Sequence, residues 1–465
     1  MRPLLDHAPF GRIAAAIARK ILARRALARR PRKSDRGFTL VELLVSLTAG
    51  LLVAIGVVGL SREATTTFYE EERAATAELS LRVAIDRLRS DLGHAAHMST
   101  GNLARDPLIA GVGGAAYSAG MLATFPGLAK LGSVKITENA NASQVAQSVL
   151  NGLHPQRIEI SGNFTTADAF AFDHYLPNGG PNGCTRFFLT NDQPIIWRIK
   201  QIPSDADRAA ALSALFSPVP SSATAAPQFM VRIADEKGRY QYLATCPGAP
   251  AGFVTATEPF VDVAAQTPVI VAVDGQPGGL GGFGGASGRA MLNPVQTVRW
   301  DIGTGAAAGF GASADSKKYD LHRTWVGADG QPVGTPEVVA EYAVDLRFAL
   351  SVDDSALDTG AAPHMVHLAY TNPDNWEKYA IDTPGNALTN QGPHRIRAIR
   401  FRVATRTQTT DRAADLPTNV AEYLYRYCAP PGSATECTPN ARHWARVRTL
   451  SGEIALLNQS RFFYP

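Results

Sequence analysis

Several features that would indicate a familiar class of protein are missing or scarce in this chain of 465 residues. Only four cysteines are present, which excludes a small scaffold held together mainly by disulfides. Charged residues make up 18% and hydrophobic residues 45%, which excludes both a disordered polyampholyte and a polytopic membrane protein. Gly-x-Ser-x-Gly, His-Glu-x-x-His and Walker motifs are absent, so no template for a catalytic nucleophile or a metal hydrolase has support.

The positive charge of the chain is concentrated at its N-terminus. The formal net charge is +4, which by itself would suggest binding to nucleic acid or to an anionic membrane. Residues 1–37, however, hold 11 Lys or Arg and only two acidic residues, Asp6 and Asp35. Residues 38–465 carry 34 basic and 39 acidic side chains, a net charge of −5. Nucleic acid is therefore not expected as a partner.

A single apolar run of 21 residues, Leu40 to Leu60, follows this basic segment. As a helix it is about 32 Å long, enough to cross a bilayer once. Basic residues before the run and acidic residues after it predict a cytoplasmic N-terminus, with everything beyond residue 60 on the far side of the membrane. A cleaved secretory signal peptide is the alternative, but its shorter apolar core would end at an Ala-x-Ala-like site, which is absent. We expect a retained anchor.

One carboxylate, Glu42, lies inside the apolar run and requires a partner. A charge there costs on the order of 2.5–3.5 kcal/mol near the bilayer centre and somewhat less near a helix end. Residues 36–42 (RGFTLVE) resemble the cleavage and methylation site of type IV prepilins. That resemblance implies cleavage after Gly37, N-methylation of Phe38, and pairing of Glu42 with the N-terminal ammonium of a neighbouring subunit. An ordinary single-pass anchor is the alternative.

The implied cleaved leader, residues 1–37, is longer than prepilin leaders usually are. Residues 11–30 have the pattern of a basic amphipathic helix, with Ile13, Ile17 and Ile21 on one face. Such a helix would lie on the cytoplasmic membrane surface. The other interpretation, which we prefer, is that the start codon is assigned too early.

Helical periodicity continues beyond the apolar run. Leu81, Ile85, Leu88 and Leu92 form one apolar stripe, and charged residues such as Asp91 are expected elsewhere on the helix. We predict one long helix within residues 38–97, with its transmembrane part at 40–60 and its second part packed on a head domain. Residues 84–92 also resemble the helix end of PilW-type minor pilins and of type II secretion pseudopilins.

From Met98 onward the helical periodicity largely stops, and short strand-like runs alternate with turn residues. These runs are 157–160, 186–189, 195–200, 229–233, 240–245 and 269–273. One short helix is predicted at 205–215, followed by a linker at 218–227. The prediction is an α+β, pilin-like fold, in which the long N-terminal helix packs on a large antiparallel β-rich head, residues 98–465. Region 100–290 is a candidate inserted subdomain.

The C-terminal third carries a second, looser resemblance. Segments 298–301, 318–323, 338–348, 396–405 and 455–459 follow the order seen in PilW-type heads. Within 394–406 the alternation changes phase, and a one-residue bulge near Ala398 would keep Ile396, Ile399 and Phe401 on one face. We interpret the arginines of this segment as a solvated strand face rather than a nucleic-acid stripe. They are Arg395, Arg397, Arg400, Arg402 and Arg406.

These resemblances imply a PilW-like minor pilin, a non-enzymatic subunit without a cofactor that helps to initiate and cap a type IV pilus. The implied partners are other minor pilins, the major pilin, a prepilin peptidase, the inner-membrane assembly platform and a tip adhesin. The implied location is the inner membrane, crossed once with the head in the periplasm, and then the pilus on the cell surface. The alternatives are a type II secretion pseudopilin and, from another class, a membrane-anchored periplasmic enzyme or binding protein that uses region 100–290.

All four cysteines lie beyond the apolar run, where an oxidising periplasm allows disulfides. The short spacing of Cys428 and Cys437 favours that pair, which leaves Cys184 and Cys246 as the second bridge. A zinc site formed by the four thiolates is the alternative, but no two of these cysteines have the two-residue spacing typical of such sites.

Three other patterns resemble binding sites, but each is better explained by a residue or loop without a bound ligand. Gly279 to Gly284 fits Gly-x-Gly-x-x-Gly, but its longer glycine tract has no clear helix to receive a pyrophosphate, which favours a flexible loop. The pairs His94 with His97 and His364 with His367 could each hold a metal only with a third ligand, so we expect surface or capping histidines. Residues Asp353, Asp354 and Asp358 lack EF-hand spacing, which favours a solvated loop over a calcium site.

Overall fold

The computed structural model describes residues 38–109, 123–138, 153, 155–219, 227–234, 240–255, 258–264, 290–304, 318–355, 364–369, 379–380, 392–408, 424–426 and 444–459. The chain divides into two compact units, Met1–Tyr69 and Glu70–Pro465. One helix of 54 residues, α1 (Leu40–Gly93), extends from the first unit into the second. The predicted long helix is therefore present.

The second unit is mainly antiparallel β-structure. Its further helices are α2 (Pro126–Ala129), α3 (Pro194–Lys200) and α4 (Asp205–Phe216), with 3₁₀ turns at Pro181–Gly183 and Pro393–Arg395. Its strands are β1 (Val134–Glu138), β2 (Gln156–Gly162), β3 (Phe170–Leu176), β4 (Thr185–Leu189), β5 (Met230–Ala234), β6 (Tyr240–Ala244), β7 (Ala251–Phe253), β8 (Pro259–Val263), β9 (Ala290–Thr304), β10 (Tyr319–Val326), β11 (Pro332–Ala340), β12 (Ala343–Asp353), β13 (Met365–Leu368), β14 (Ile396–Arg406), β15 (Leu424–Arg426) and β16 (Trp444–Ala455). The predicted α+β class is confirmed.

Two sheets contain these strands. The larger has 11 strands, with the main order β1-β2-β9-β3-β4-β8-β7; β5 and β10 also pair with β9, β6 pairs with β5, and β11 pairs with β10. The smaller has five strands in the order β13-β12-β14-β16-β15. The 15-residue strand β9 links two parts of the larger sheet, because its first half pairs with β3 and β5 and its second half with β2 and β10.

The two halves of β9 contribute to two different hydrophobic cores. One core combines the buried stripe of α1 with β1, β2, the second half of β9, β10, β12 and β14. A second core combines β3, β4, β5, β8 and the first half of β9 with α3 and α4. Much of region 100–290 thus has its own apolar core, yet it shares one continuous sheet with the rest of the second unit.

Most of the predicted strands that fall on described residues are confirmed, and one is wrong. Runs 157–160, 186–189, 229–233 and 240–245 correspond to β2, β4, β5 and β6. Run 195–200 is helix α3, because Pro194 occupies its first turn and Ile196 and Ile199, three residues apart, are its buried side chains. The predicted helix at 205–215 is α4, which begins after Ser204, whose hydroxyl accepts the Asp207 N–H. Run 269–273 lies outside the described residues.

Strand β14 has the predicted bulge. Ser351 pairs with Ala398 while Val352 pairs with Ile396, so one residue of β14 is left over between them. As a result Ile396, Ile399, Phe401 and Val403 all face the core and are fully buried.

The interpretation of the β14 arginines as a solvated face is wrong for most of them. Arg395 and Arg406 are buried, and only Arg400 is exposed. Arg402 Nη2 lies 2.8 Å from Oδ2 of Asp345, a carboxylate with no exposed surface. Charge alone predicts a solvated face, but the fold supplies carbonyl and carboxylate partners that allow arginine to be buried.

Candidate functional site

The start of α1 is closed by reciprocal hydrogen bonds between Thr39 and Glu42. The backbone N–H and the hydroxyl of Thr39 both donate to Glu42 Oε2, each at 3.0 Å. In return the Glu42 N–H donates to Thr39 Oγ1 at 3.3 Å. This is a capping box, which satisfies N–H groups that the first turn of a helix leaves without partners. The carboxylate also lies at the positive end of the helix dipole.

Thr39 is therefore one partner of the Glu42 carboxylate and binds one of its two oxygens. The spacing Thr-x-x-Glu before an apolar run is a capping-box signature, and it could have revealed this contact from the sequence. Glu42 Oε1 accepts no hydrogen bond from the residues that the structure describes, so one oxygen of the carboxylate is left for a second partner. Phe38 is 80% exposed, and Gly37 lies outside the described residues.

The apolar part of α1 has no partner among the described residues of its own unit, 38–69. All of residues 38–69 are exposed, and the most apolar stretch has a mean hydropathy of 2.5 with none of it buried. Its hydroxyls are satisfied locally: Ser46 donates to the Leu43 carbonyl at 2.9 Å and Thr48 to the Val45 carbonyl at 3.0 Å. A stretch of helix that satisfies its own hydroxyl groups and exposes mainly apolar surface is suited to lipid or to other apolar helices.

Three glycines, Gly50, Gly56 and Gly59, interrupt this apolar surface. A Cβ atom added to any of them would meet nothing within 4 Å. Contacts within the described chain therefore do not require glycine at these positions, and the helix continues through all three. Small residues on a membrane helix allow a neighbouring helix to approach closely.

Residues 70–93 of α1 bury one face against the rest of the second unit. The predicted stripe is confirmed, since Leu81, Leu88 and Leu92 have no exposed surface and Ile85 is 6% exposed. Burying one leucine side chain contributes roughly 1.5–3 kcal/mol, so this stripe is a large contribution to holding the helix on the head.

Asp91 belongs to the same buried face, contrary to the sequence prediction. It is 4% exposed, and its Oδ2 accepts hydrogen bonds from Trp300 Nε1 at 2.9 Å and from Arg323 Nε at 2.8 Å. Its Oδ1 accepts a longer bond of 3.3 Å from Arg323 Nη2. Asp91 lies three residues after Leu88, so helical spacing alone predicts that it belongs to the stripe. The charge of its side chain, by contrast, predicts a position elsewhere on the helix.

Polar contacts fix both ends of this buried portion. Glu70 Oε2 accepts a hydrogen bond of 2.9 Å from Arg446 Nη2, from strand β16. At the other end, Asn458 Nδ2 donates at 2.9 Å to the carbonyl of Gly93, which the helix leaves without a partner. Strand β2 also passes close to the end of α1. A Cβ on Gly162 of this strand would lie 2.0 Å from the carbonyl oxygen of His94, so the position requires glycine.

The second unit contains one of the two predicted disulfides. Cys184 and Cys246 are bonded, with a sequence separation of 62 residues, and both are buried. Beside them Arg186 forms paired hydrogen bonds to the buried Asp262 at 2.8 and 2.9 Å. The other predicted pair, Cys428 and Cys437, lies outside the described residues.

The candidate metal positions already have protein partners. Among the described residues, no group of three or more His, Cys, Asp or Glu side chains is placed to hold a metal ion. His94 Nδ1 lies 2.8 Å from the Ser90 carbonyl, and His367 Nδ1 lies 2.8 Å from the Ser351 hydroxyl. Asp353 binds the Ser355 hydroxyl at 2.5 Å.

Further members of these candidate sets either have protein partners or lie outside the described residues. Asp354 Oδ1 accepts the Tyr379 hydroxyl at 2.8 Å, and Arg397 Nη2 donates to Asp353 Oδ2 at 3.3 Å. Asp358 and the glycine tract that includes Gly279 to Gly284 lie outside the described residues.

Comparison with known proteins identifies the N-terminal segment. A family profile described as the prokaryotic N-terminal methylation motif matches residues 32–58, which include Gly37, Phe38 and Glu42. The match supports a type IV prepilin-like protein, and it points to a structural subunit that interacts with pilins and pilus assembly machinery in general. Together with the apolar N-terminal helix it fits a membrane-anchored pilin. Neither a curated protein nor a solved structure gives a significant match to the chain.

Proposed function

We propose that this chain is a PilW-like minor pilin, which helps to initiate and cap a type IV pilus and has no enzymatic activity. The methylation motif at residues 32–58, continuous with an apolar helix that the described residues of its unit leave uncovered, is the observation that carries the proposal. An apolar surface of this length needs lipid before assembly and other pilin helices after it. The large β-rich head suits a position at the pilus tip, because a head of this size would crowd a helical lattice.

In this proposal the chain has three parts with separate roles. The leader, residues 1–37, stays in the cytoplasm and is removed; residues 38–97 form the pilin helix, anchored through 40–60; and the head, residues 98–465, faces the periplasm. Hydrolysis of the bond after Gly37 creates a new amino terminus at Phe38, which is then N-methylated. Other minor pilins, the major pilin, the peptidase, the assembly platform and a tip adhesin are the proposed partners.

Glu42 is the proposed assembly residue. The capping box orients its carboxylate at the start of α1, with Oε2 held by Thr39. The free Oε1 can then accept the N-terminal ammonium of a neighbouring subunit, and in lipid the two charges offset much of each other's desolvation. The capping box thus positions Glu42, and assembly supplies the opposite charge.

Mass spectrometry of the protein extracted from assembled filaments tests the processing step. We expect an N-terminal peptide that begins with N-methylated Phe38. A filament-derived peptide that spans the bond between Gly37 and Phe38 would contradict the proposal. Recovery of the processed chain only from a type II secretion filament would instead favour the pseudopilin alternative.

Substitution of Glu42 tests the charge pair separately from the capping box. Glutamine can retain the hydrogen bonds of a capping box but carries no charge, so Glu42→Gln isolates the electrostatic role. We expect both Glu42→Gln and Glu42→Ala to insert into the membrane normally and to reduce incorporation into filaments about tenfold or more, measured by immunoblotting of sheared filaments.

The matched control is Glu63→Gln, a change of the same type on the exposed surface of the same helix beyond the apolar run. It should leave incorporation unchanged. If Glu42→Gln assembles as well as the unmodified chain, the charge pair is not the assembly determinant.

A further inference from the structure

The head contains a polar cavity that the proposed pilin role does not use. In β1 and β2 the residues Val134, Ile136, Ile158 and Ile160 face the core that includes α1, so the alternate residues lie on the opposite face of the sheet. A cavity of about 200 Å³ lies on that opposite face. Its floor is formed by β1, β2 and β9, and its walls by α2 and the turn at residues 327–331.

The walls of this cavity are built by a close backbone contact. The Gly127 N–H donates to the Ala328 carbonyl at 2.9 Å, which joins α2 to the turn. A Cβ on Gly127 would lie 2.7 Å from that oxygen and 2.9 Å from the Gly330 nitrogen, so a larger residue would push the two walls apart. Gly330 itself has φ of 76°, a conformation that favours glycine. The cavity is therefore a defined feature of the fold.

The lining of the cavity has an excess of positive charge. Lys130, Lys135, Arg157 and Arg299 contribute four cations, and Glu159 and Asp329 contribute two carboxylates. This local balance of +2 contrasts with the net charge of −5 carried by residues 38–465.

The carboxylates do not neutralise all of these cations. Glu159 is shared, with Arg299 Nη2 at 2.8 Å and Lys135 Nζ at 3.6 Å from its oxygens. Arg157 Nε donates to a neutral acceptor, the Thr137 hydroxyl, at 3.2 Å, and Lys130 forms no ion pair with the residues that the structure describes.

One more carboxylate lies close to this cluster. Asp301 interacts electrostatically with Arg157 and Arg299, but it does not line the cavity. Burial raises its pKa, although His322, Arg299 and Arg157 lower it. Lys130 thus has no carboxylate partner among the described residues. Arg157 shares Asp301 with Arg299, but its Nη atoms form no hydrogen bond with the described residues, so both cations can still bind a ligand in the cavity.

We propose that this cavity binds a compact oxyanion, that is, a carboxylate or phosphate group, either as a free ion or as the acidic group of a sugar. Guanidinium and ammonium groups recognise such oxyanions through charge-assisted hydrogen bonds. The volume lies below the roughly 300–1,000 Å³ of pockets for drug-sized ligands, which restricts the occupant to one small group. The proposal does not depend on the assignment as a minor pilin.

Binding measurements on the full-length protein in detergent test this proposal. The probes are inorganic phosphate, glucuronate and, as the neutral match to glucuronate, glucose, each titrated by isothermal calorimetry at low ionic strength. We expect saturable binding of phosphate or glucuronate at one site per chain, weakened by added salt, and no binding of glucose. Binding of phosphate alone supports a free-ion ligand, and binding of glucuronate supports an acidic sugar.

Substitutions locate the site. We expect Arg157→Gln and Lys130→Gln each to weaken binding about tenfold or more. Lys130 is exposed, so its substitution should not disturb folding, and it keeps the test valid if Arg157→Gln lowers stability. The matched control is Arg400→Gln, an exposed arginine on β14 that pairs with Glu453 and does not line the cavity.

Three results would overturn the proposal. They are the absence of saturable binding of both anions, equal binding of glucose and glucuronate, and unchanged affinity in both cavity variants.

Discussion

The two parts of helix α1 differ in what covers their apolar side chains. Apart from Glu42, residues 40–60 expose mainly apolar surface on every side of the helix, and the hydroxyls of Ser46 and Thr48 bond to carbonyls of the same helix. Residues 70–93 bury only one stripe, which this chain covers with its own sheets. The first part therefore obtains its stabilising surroundings from lipid or from other chains, whereas the second obtains them from its own head.

Charge is handled differently in the two parts as well. Glu42 has a local partner, Thr39, three residues away, and keeps one oxygen open. Asp91 has two distant partners in sequence, Trp300 and Arg323, and these use both of its oxygens. An open carboxylate suits a contact with another subunit, and a closed one suits a permanent connection between helix and head.

All five tryptophans lie beyond residue 70, so tryptophan fluorescence reports on the second unit alone. This property separates the two parts of α1 experimentally. Urea unfolding of the full-length protein in detergent, followed by tryptophan fluorescence, is the common measurement for the predictions below.

The largest effect is expected for Asp91→Ala. The change leaves the buried guanidinium of Arg323 and the Trp300 N–H without this acceptor, which should lower the free energy of unfolding by about 3–5 kcal/mol. Asp86→Ala, on the exposed side of the same part of α1, is the control and should change it by less than about 0.5 kcal/mol. Equal effects of the two changes would show that the buried network does not stabilise the head.

A leucine pair sharpens the comparison between the two parts. Leu88→Ala removes a fully buried side chain and should destabilise the second unit by about 2–5 kcal/mol. Leu52→Ala removes a side chain that is 71% exposed and should leave the unfolding of the second unit unchanged. Leu79→Ala, at an exposed position beyond residue 70, controls for helix propensity. A loss of head stability in Leu52→Ala would contradict the division at residue 69.

A smaller effect is expected when the pH is lowered, which should reduce the free energy of unfolding of the second unit. Burial, together with the nearby cations of Arg395, Arg397 and Arg105, lowers the pKa of His394 to about 3. The unfolded chain binds this proton near pH 6.5, so stability is fully present above that pH and is lost as the pH falls toward 3.

The expected loss from His394 between pH 7 and pH 5 is about 2 kcal/mol, measured as urea unfolding at each pH. His394→Asn removes the titrating group and should flatten this part of the pH dependence. An identical slope in His394→Asn and the unmodified chain would contradict the assignment.

Local patterns in the sequence were enough for much of the fold. The span of α1, the stripe at Leu81, Leu88 and Leu92, and the strands β2, β4, β5 and β6 all follow from periodicities of 3.6 or 2 residues. The bulge in β14 was also predictable, because a phase change in the alternation is itself a local signal. Helix α3 was missed because in a run of six or seven apolar and basic residues the two periodicities are hard to separate.

By itself the sequence determined the prepilin-like N-terminus and the apolar span, since both depend on contiguous residues that any fold would leave adjacent. Only the tertiary structure decided the burial of Asp91, the pairing of Arg402 with the buried Asp345 and the basic cavity around Arg157, because each depends on partners tens to hundreds of residues away. A charged side chain read alone is predicted to lie in solvent. It is buried where the fold brings an opposite charge or enough other hydrogen-bond partners to replace water.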